Sequence, residues 1–162
     1  MEQYQLVYDT LDKMNIEYDV VEHPPAFTTE DADKYIVGID CIRTKTLFLC
    51  NKKKTAFYLL VLDQSKRLDF KKFEALVSEK KIRFCSPEQL MEKMKLKPGA
   101  VSLFGILNNE DKDIKVLMDK EMLTDQRISF HPNDNTKTVL LSIEDMHRFI
   151  EEQGFESQVI EA

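Results

Sequence analysis

The chain has 162 residues, of which 43% are hydrophobic and 32% charged, and its formal net charge is −6. A chain of about this length buries roughly 68–70% of its unfolded surface as one unit, so residues 1–162 are expected to form a single domain with a real core. No stretch approaches the roughly 18 uninterrupted apolar residues of a membrane span, and Met1-Glu2-Gln3-Tyr4 lacks the basic and apolar regions of a signal peptide, so a cytoplasmic protein without a membrane partner is expected.

Three cysteines, Cys41, Cys50 and Cys85, have no C-x-x-C spacing, so free thiols are expected rather than a disulfide framework or a zinc knuckle. Cys41 lies near Lys45, but no histidine follows at a motif spacing to activate it. His23, His131 and His147 have no metal-ligand spacing, and no Walker loop or dinucleotide fingerprint is present, so neither a metal nor a cofactor is expected. The negative net charge argues against a nucleic-acid partner, but its distribution does not. From Arg43 to Lys97 there are 15 Lys or Arg against 6 Asp or Glu, a local +9, which leaves −15 for the flanks. Such segregation suggests one anion-seeking face, the alternative being solvated lysines that fold back among the acids.

In chain order, Tyr4, Val7, Tyr8, Leu11 and Met14 recur at helical spacing and predict a first amphipathic helix over Glu2 to Met14. Ile16, Tyr18 and Val20 alternate as a strand, which His23-Pro24-Pro25 ends by removing amide donors. Thr28-x-x-Asp31 resembles a capping box and Gly38 a stop, giving a short helix across Thr29 to Val37. Ile42 to Leu62 reads as a hairpin of two largely buried strands around Asn51-Lys52-Lys53-Lys54. Lys45 breaks that pattern, because it shares the parity of Leu47 and Leu49. Either it lies in water at a frayed strand end, or it faces a pocket that receives an anion, since an unpaired buried charge costs several kcal/mol.

Asp69 is placed to cap a helix with Phe70, Phe73, Leu76 and Val77 on one face, and Ile82-Arg83-Phe84 reads as a short strand. Ser86-Pro87-Glu88-Gln89 joins an N-cap serine, a first-turn proline and a reciprocal glutamine, and the helix it opens should end near Lys97-Pro98-Gly99. The segment from Pro98 to Gly105 is small and apolar with a glycine near each end, and reads as a tight helix-to-strand turn or as a place where backbone approaches a ligand. Ile114 to Met118, Arg127 to Phe130 and Thr138 to Leu141 read as strands. His131 to Thr136 forms a loop able to present donors and acceptors. Ser142-x-x-Asp145 starts a last helix that Gly154 stops, and Phe155 to Ile160 closes the chain as a strand. Strands outnumber helices without strict alternation, which predicts a mixed α/β domain with a single curved, largely antiparallel sheet and flanking helices.

The turn H-P-P-A-F-T-T, the strand K-T-L-F-L, the link K-R-L-D, the helix start S-P-E-Q-L, and P-G-A-V-S-L-F-G and F-H-P-N-D-N-T occur here in one order. In that order and spacing they resemble the YbaK/ProX family of aminoacyl-tRNA deacylases, related to the editing domain of bacterial prolyl-tRNA synthetases. The resemblance runs from about His23 to Phe149 and is closest to the free-standing ProX/PrdX branch. It implies a pocket for the 3′-terminal adenosine and its esterified amino acid, and hydrolysis of that ester. The family's key lysine matches Lys45, its glycine-bearing loop matches Gly99 to Gly105 with Ser102 inside it, and its F-H-P-x-x-N turn matches Phe130 to Asn135. The implied catalytic positions are therefore Lys45, Gly99, Ser102 and Gly105. Phe27, Thr28, Thr29, Thr46, His131 and Asn135 are implied as the substrate wall, and the basic middle of the chain points to Lys52, Lys53 and Lys54 as contacts to the tRNA acceptor stem.

No residue resembles a strong general base. An activated ester needs only a positioned water and backbone donors at the oxyanion, with the ribose hydroxyl assisting. Alanine-specific members often carry Asn directly after the lysine, where this chain has Thr46, so serine and cysteine esters stay open beside alanyl-tRNA(Pro). The expected partners are an aminoacylated tRNA and prolyl-tRNA synthetase. The alternatives are a module that binds an amino acid or charged tRNA without turnover, and an interaction domain whose lysines are merely solvated.

Overall fold

Four of the five α-helices start where a side chain takes over an orphaned amide, and the first follows Glu2 without a side-chain cap. In the computed structural model, which describes residues 2–26 and 28–162 and only the backbone of residues 29 and 30, Thr28 accepts from Asp31 N, Asp69 from Lys72 N and Ser142 from Asp145 N. Ser86 and Gln89 complete the reciprocal capping box, with Pro87 in the first turn. The resulting α-helices are α1 (Gln3–Lys13), α2 (Thr29–Asp33), α3 (Phe70–Val77), α4 (Pro87–Met94) and α5 (Ile143–Glu152). A 3₁₀ turn at Lys34–Ile36 extends α2 over most of the expected helix. On α3, Phe73 is fully buried but Leu76 is 43% exposed, against the expectation of a shared face. At about 100° per residue Leu76 falls outside the arc that Phe70, Phe73 and Val77 subtend.

The strands are β1 (Tyr18–Glu22), β2 (Cys41–Ile42), β3 (Thr44–Cys50), β4 (Phe57–Asp63), β5 (Arg83–Phe84), β6 (Ile114–Asp119), β7 (Arg127–Phe130), β8 (Lys137–Leu141) and β9 (Ser157–Ile160). They make two mixed sheets, not the single sheet expected: four strands in the order β1-β8-β7-β2 and five in the order β5-β3-β4-β6-β9. Four pairings are antiparallel and three, β2 with β7, β4 with β6 and β6 with β9, are parallel. The cause of the split is local. Cys41 to Cys50 looks like one continuous run, yet the chain leaves one sheet at Ile42 and enters the other at Thr44. At the step, Arg43 Nη2 donates to the carbonyls of Ile36 and Ile39.

Alternation along the hairpin serves two cores. Phe48, Cys50, Leu59 and Val61 join the larger one, which continues through Phe104, Phe130 and Phe149 under α5, while Leu49, Tyr58, Leu60 and Leu62 face Phe73 of α3 in a smaller one. Around Phe104 the rings of Phe130 and Phe149 stand at 6.0 and 5.1 Å in edge-to-face geometry. The segment after α4 does not run into a strand as the turn reading implied. Ser102 caps a 3₁₀ helix over Leu103–Asn108 by accepting from Phe104 N. Among the described residues, no helix is long and apolar enough to cross a membrane.

Candidate active site

The two sheets adjoin where Thr44 Oγ1 donates to the Ser129 carbonyl at 2.6 Å and Ser129 Oγ to the Ile42 carbonyl at 2.9 Å. These bonds fasten the start of β3 to β7, and a cavity of about 550 Å³ opens beside them. The strand β3 is buried over Phe48 to Cys50 but only half-buried over Thr44 to Leu47, and that open half lines the cavity. The short strand β5 pairs with β3 only at Leu49 and Cys50, so it leaves the open half uncovered on that side.

Lys45 is in the lining, half-buried, opposite Leu62 of β4. Among the described residues, none makes a hydrogen bond or an ion pair to its ammonium group. Thr46 lies next to it on the wall, with the parity of the core residue Phe48. His131, which follows β7, is in the same lining. Its Nδ1 must donate to the Lys137 carbonyl 2.9 Å away, because a carbonyl only accepts. Burial pushes its pKa below the usual histidine value, so the ring is neutral near pH 7 and Nε2 is an acceptor. Thr28, at the N-cap of α2, and Gly99 complete the set of sequence-derived residues in the lining. Gly99 has φ +92°, a conformation for which glycine is suited, and the turn bond from Ala100 N to the Lys97 carbonyl leaves the amides of Gly99 and Val101 without a partner among the described residues.

Other sequence-derived residues lie elsewhere. Ser102 is 1% exposed and its hydroxyl is engaged as the cap of the 3₁₀ helix. Gly105 is buried inside that helix, where an added Cβ would meet Met94 Sδ at 2.7 Å and Leu96 Cδ1 at 3.0 Å, so its observed role is close packing. Asn135 is outside the lining and accepts from Ala26 N through its carbonyl, fastening the His-Pro-Pro turn to the loop after β7. Phe27 is outside the described residues, and Thr29 is described only as part of α2. Lys52, Lys53 and Lys54 are exposed in the β3–β4 turn. At about 3.3 Å per residue that turn is about 20 Å from Lys45.

The cavity also gathers residues that sequence reasoning missed. Thr44, Ser129 and Thr138 supply hydroxyls, Asp33 a carboxylate, and Cys85 and Phe84 the wall after β5. Thr138 Oγ1 is 3.0 Å from Nε2 of the buried His23, whose ring stacks on Tyr35 with centroids 4.9 Å apart. Only the turn chemistry around His23 and the N-cap at Thr28 hinted that this corner would be built. Burial pushes the thiols of Cys41 and Cys85 up, which opposes a nucleophilic thiolate. Among the described residues, no three His, Cys, Asp or Glu side chains are grouped to hold a metal ion.

A half-buried lysine with no ion pair among the described residues, a neutral imidazole and a glycine turn line one cavity, a combination suited to an anionic ligand. The family model for the aminoacyl-tRNA editing domain matches residues 23–149, and the chain belongs to that family. It is accordingly an aminoacyl-tRNA deacylase, a carboxylic ester hydrolase of translation editing. Among curated proteins it is 36% identical over 162 residues to the prolyl-tRNA editing protein ProX of Acetoanaerobium sticklandii, covering 99% of this chain and 98% of that one. It is 28% identical over 149 residues to prolyl-tRNA synthetase associated domain-containing protein 1 of Bos taurus, covering 90% and 86%. Among solved structures, a hypothetical protein, APE2540, superposes with a TM-score of 0.74 at 16% identity, covering 98% of each chain. A protein described as a candidate trans-editing enzyme for prolyl tRNA synthetase gives 0.74 at 18% identity, covering 97% of this chain and 95% of that one. At such identities the last two speak for the fold alone.

Proposed function

We propose that this chain, acting as one domain over its 162 residues, hydrolyses the ester of alanyl-tRNA(Pro) made in error by prolyl-tRNA synthetase. The observation that carries the reading is Lys45, a cation half-buried on the cavity wall that makes no ion pair among the described residues. A phosphate or the ester of the terminal nucleotide supplies what is missing. Asp33, the carboxylate among the described lining residues, suits the α-ammonium of the aminoacyl group. The neutral His131 offers Nε2 as an acceptor to a ribose hydroxyl or to water.

Hydrolysis then needs little more than alignment. Water attacks the ester carbonyl, and the carbonyl oxygen takes up negative charge toward the amides around Gly99. The bond to the ribose oxygen breaks as that oxygen regains a proton, releasing the free amino acid and the tRNA hydroxyl. Lys52, Lys53 and Lys54 serve the acceptor stem rather than the ester, in keeping with their distance from Lys45. The similarity to a protein named for prolyl-tRNA editing supports tRNA(Pro). A synthetase that accepts proline discriminates poorly against the smaller alanine, because one methylene in an apolar pocket is worth only about 1–3 kcal/mol.

The test is a deacylation panel on alanyl-, seryl-, cysteinyl- and prolyl-tRNA(Pro). Alanyl-tRNA(Pro) is expected to be cleared well above prolyl-tRNA(Pro). Equal rates, or a preference for the cysteinyl ester, defeat the substrate assignment.

A further inference from the structure

Phe84 is a large aromatic side chain left 55% exposed on the wall of the cavity. Its strand, β5, is only two residues long and stands at the edge of the five-stranded sheet, with both residues exposed. Phe84 pairs directly opposite Leu49, so it lies on the same face of the sheet as Leu47 and, by alternation, Lys45. Four residues along β3 separate Lys45 from the Phe84 level, which is about 13 Å. The ring is held rather than loose, because Phe70 of α3 meets it edge-to-face with centroids 5.6 Å apart. With that contact made, the side chain is still 55% exposed.

The segments that flank Phe84 are rich in basic residues. Arg83 precedes it in β5, is paired with Cys50 and so leaves from the opposite face, and donates from Nη2 to the Lys52 carbonyl at 3.2 Å, joining β5 to the lysine-rich turn. Lys71 follows Phe70 on α3, and Lys80 and Lys81 lead into β5, all exposed and none in an ion pair among the described residues. An exposed aromatic ring on a cavity wall, in a part of the chain with several exposed lysines that make no ion pair among the described residues, has the composition of a single-stranded nucleic-acid track: stacking holds the bases and charge holds the phosphates.

Building on the deacylase reading, we propose that Phe84 is the platform on which an unpaired base at the 3′ end of the tRNA stacks while its acylated ribose enters the cavity, with Lys71 near enough in the chain to Phe70 to hold an adjoining phosphate. Phe84 is thus a substrate-positioning residue. Its loss weakens tRNA binding more than it slows the bound ester's hydrolysis.

The chain contains no tryptophan, so Phe84→Trp introduces a single fluorescent reporter at the platform. Titration of Phe84→Trp with uncharged tRNA is expected to quench that fluorescence. A tRNA trimmed of its unpaired 3′ nucleotides should bind without quenching. Phe84→Ala is expected to raise KM for alanyl-tRNA about 5- to 100-fold, with kcat changed far less and the melting temperature kept, and Phe84→Tyr should restore KM. Absence of quenching by intact tRNA, equal quenching by the trimmed form, or an unchanged KM in Phe84→Ala overturns the proposal. So does a self-associating wild-type chain that Phe84→Ala dissociates, which would make the ring a protein contact. The quenching arm needs no turnover. It stands or falls separately from the deacylase reading, which fails only if the wild-type protein clears no aminoacyl-tRNA.

Discussion

Replacing Lys45 by alanine separates charge from scaffold. The residue makes no hydrogen bond or ion pair among the described residues, and its strand is held by backbone pairing to β4 from Thr44–Asp63 through Cys50–Phe57. Removing the side chain therefore leaves the described polar contacts intact and removes a half-buried charge that makes no ion pair among the described residues, so the melting temperature should stay level or rise slightly. The catalytic loss should be large. A unit charge about 4 Å from a phosphate or developing oxyanion, at an effective dielectric constant of about 20, is worth about 4 kcal/mol. At about 1.4 kcal/mol per tenfold that is roughly a thousandfold in rate. Single-turnover deacylation of alanyl-tRNA at saturating enzyme reads this directly, and Lys45→Met serves as a neutral control of similar length. If either variant kept its rate within tenfold of the wild type, the electrostatic role of Lys45 would be wrong. If both lost stability in step with activity, the lysine would be structural.

Two further outcomes follow from residues around the cavity. Gly105→Ala should cost about 1–3 kcal/mol by overpacking, because its new methyl group meets Met94 Sδ at 2.7 Å in a closed core. A thermal melt checks this, and activity lost with no change in melting would instead assign Gly105 to the chemistry. For His131, the folded pKa is lowered by burial while the unfolded ring titrates near 6.5, so between those values the unfolded chain binds more protons. Stability from this group is intact above about pH 6.5 and falls as pH drops through the window, levelling off below the folded pKa. Denaturant titrations of wild type and His131→Asn should diverge in slope there, and parallel profiles would contradict a buried neutral imidazole.

Features written in a few adjacent residues were legible in the sequence. The caps at Thr28, Asp69, Ser86 and Ser142 all form as expected, because each depends on a side chain and an amide three residues on. The hairpin and the anomaly of Lys45 within it were legible for the same reason: alternation is a local property. What escaped depends on how distant segments meet. Nothing in Cys41 to Cys50 marks Arg43 as the step between sheets, since its guanidinium finds the carbonyls of Ile36 and Ile39 only once the chain has folded. Asp33, Phe84, Ser129 and Thr138 come to one cavity from four separate elements, and no short pattern relates them. Gly99 and Gly105 look equivalent in the sequence. One has a positive φ on the cavity wall, and the other is small because Met94 and Leu96 crowd it.

The position of the site follows from an incomplete sheet. Had β5 continued antiparallel along β3, it would have covered Thr44 to Leu47 and satisfied that edge with backbone bonds. Because it pairs only at Leu49 and Cys50, the edge beside Lys45 is left open. The cost is a row of unpaired backbone groups that water or a ligand must satisfy. The same opening gives Lys45 its access to an anion while β4 still fixes its backbone on the other side. The bonds from Thr44 to Ser129 and from Ser129 to Ile42 then fasten the second sheet beside this edge, and His131, just after Ser129 and Phe130, joins the same cavity lining. A lysine at this position of a fully paired strand would have to find a protein carboxylate. In a half-covered strand it can wait for the substrate, which explains how a residue unfavourable to folding persists in an otherwise apolar hairpin.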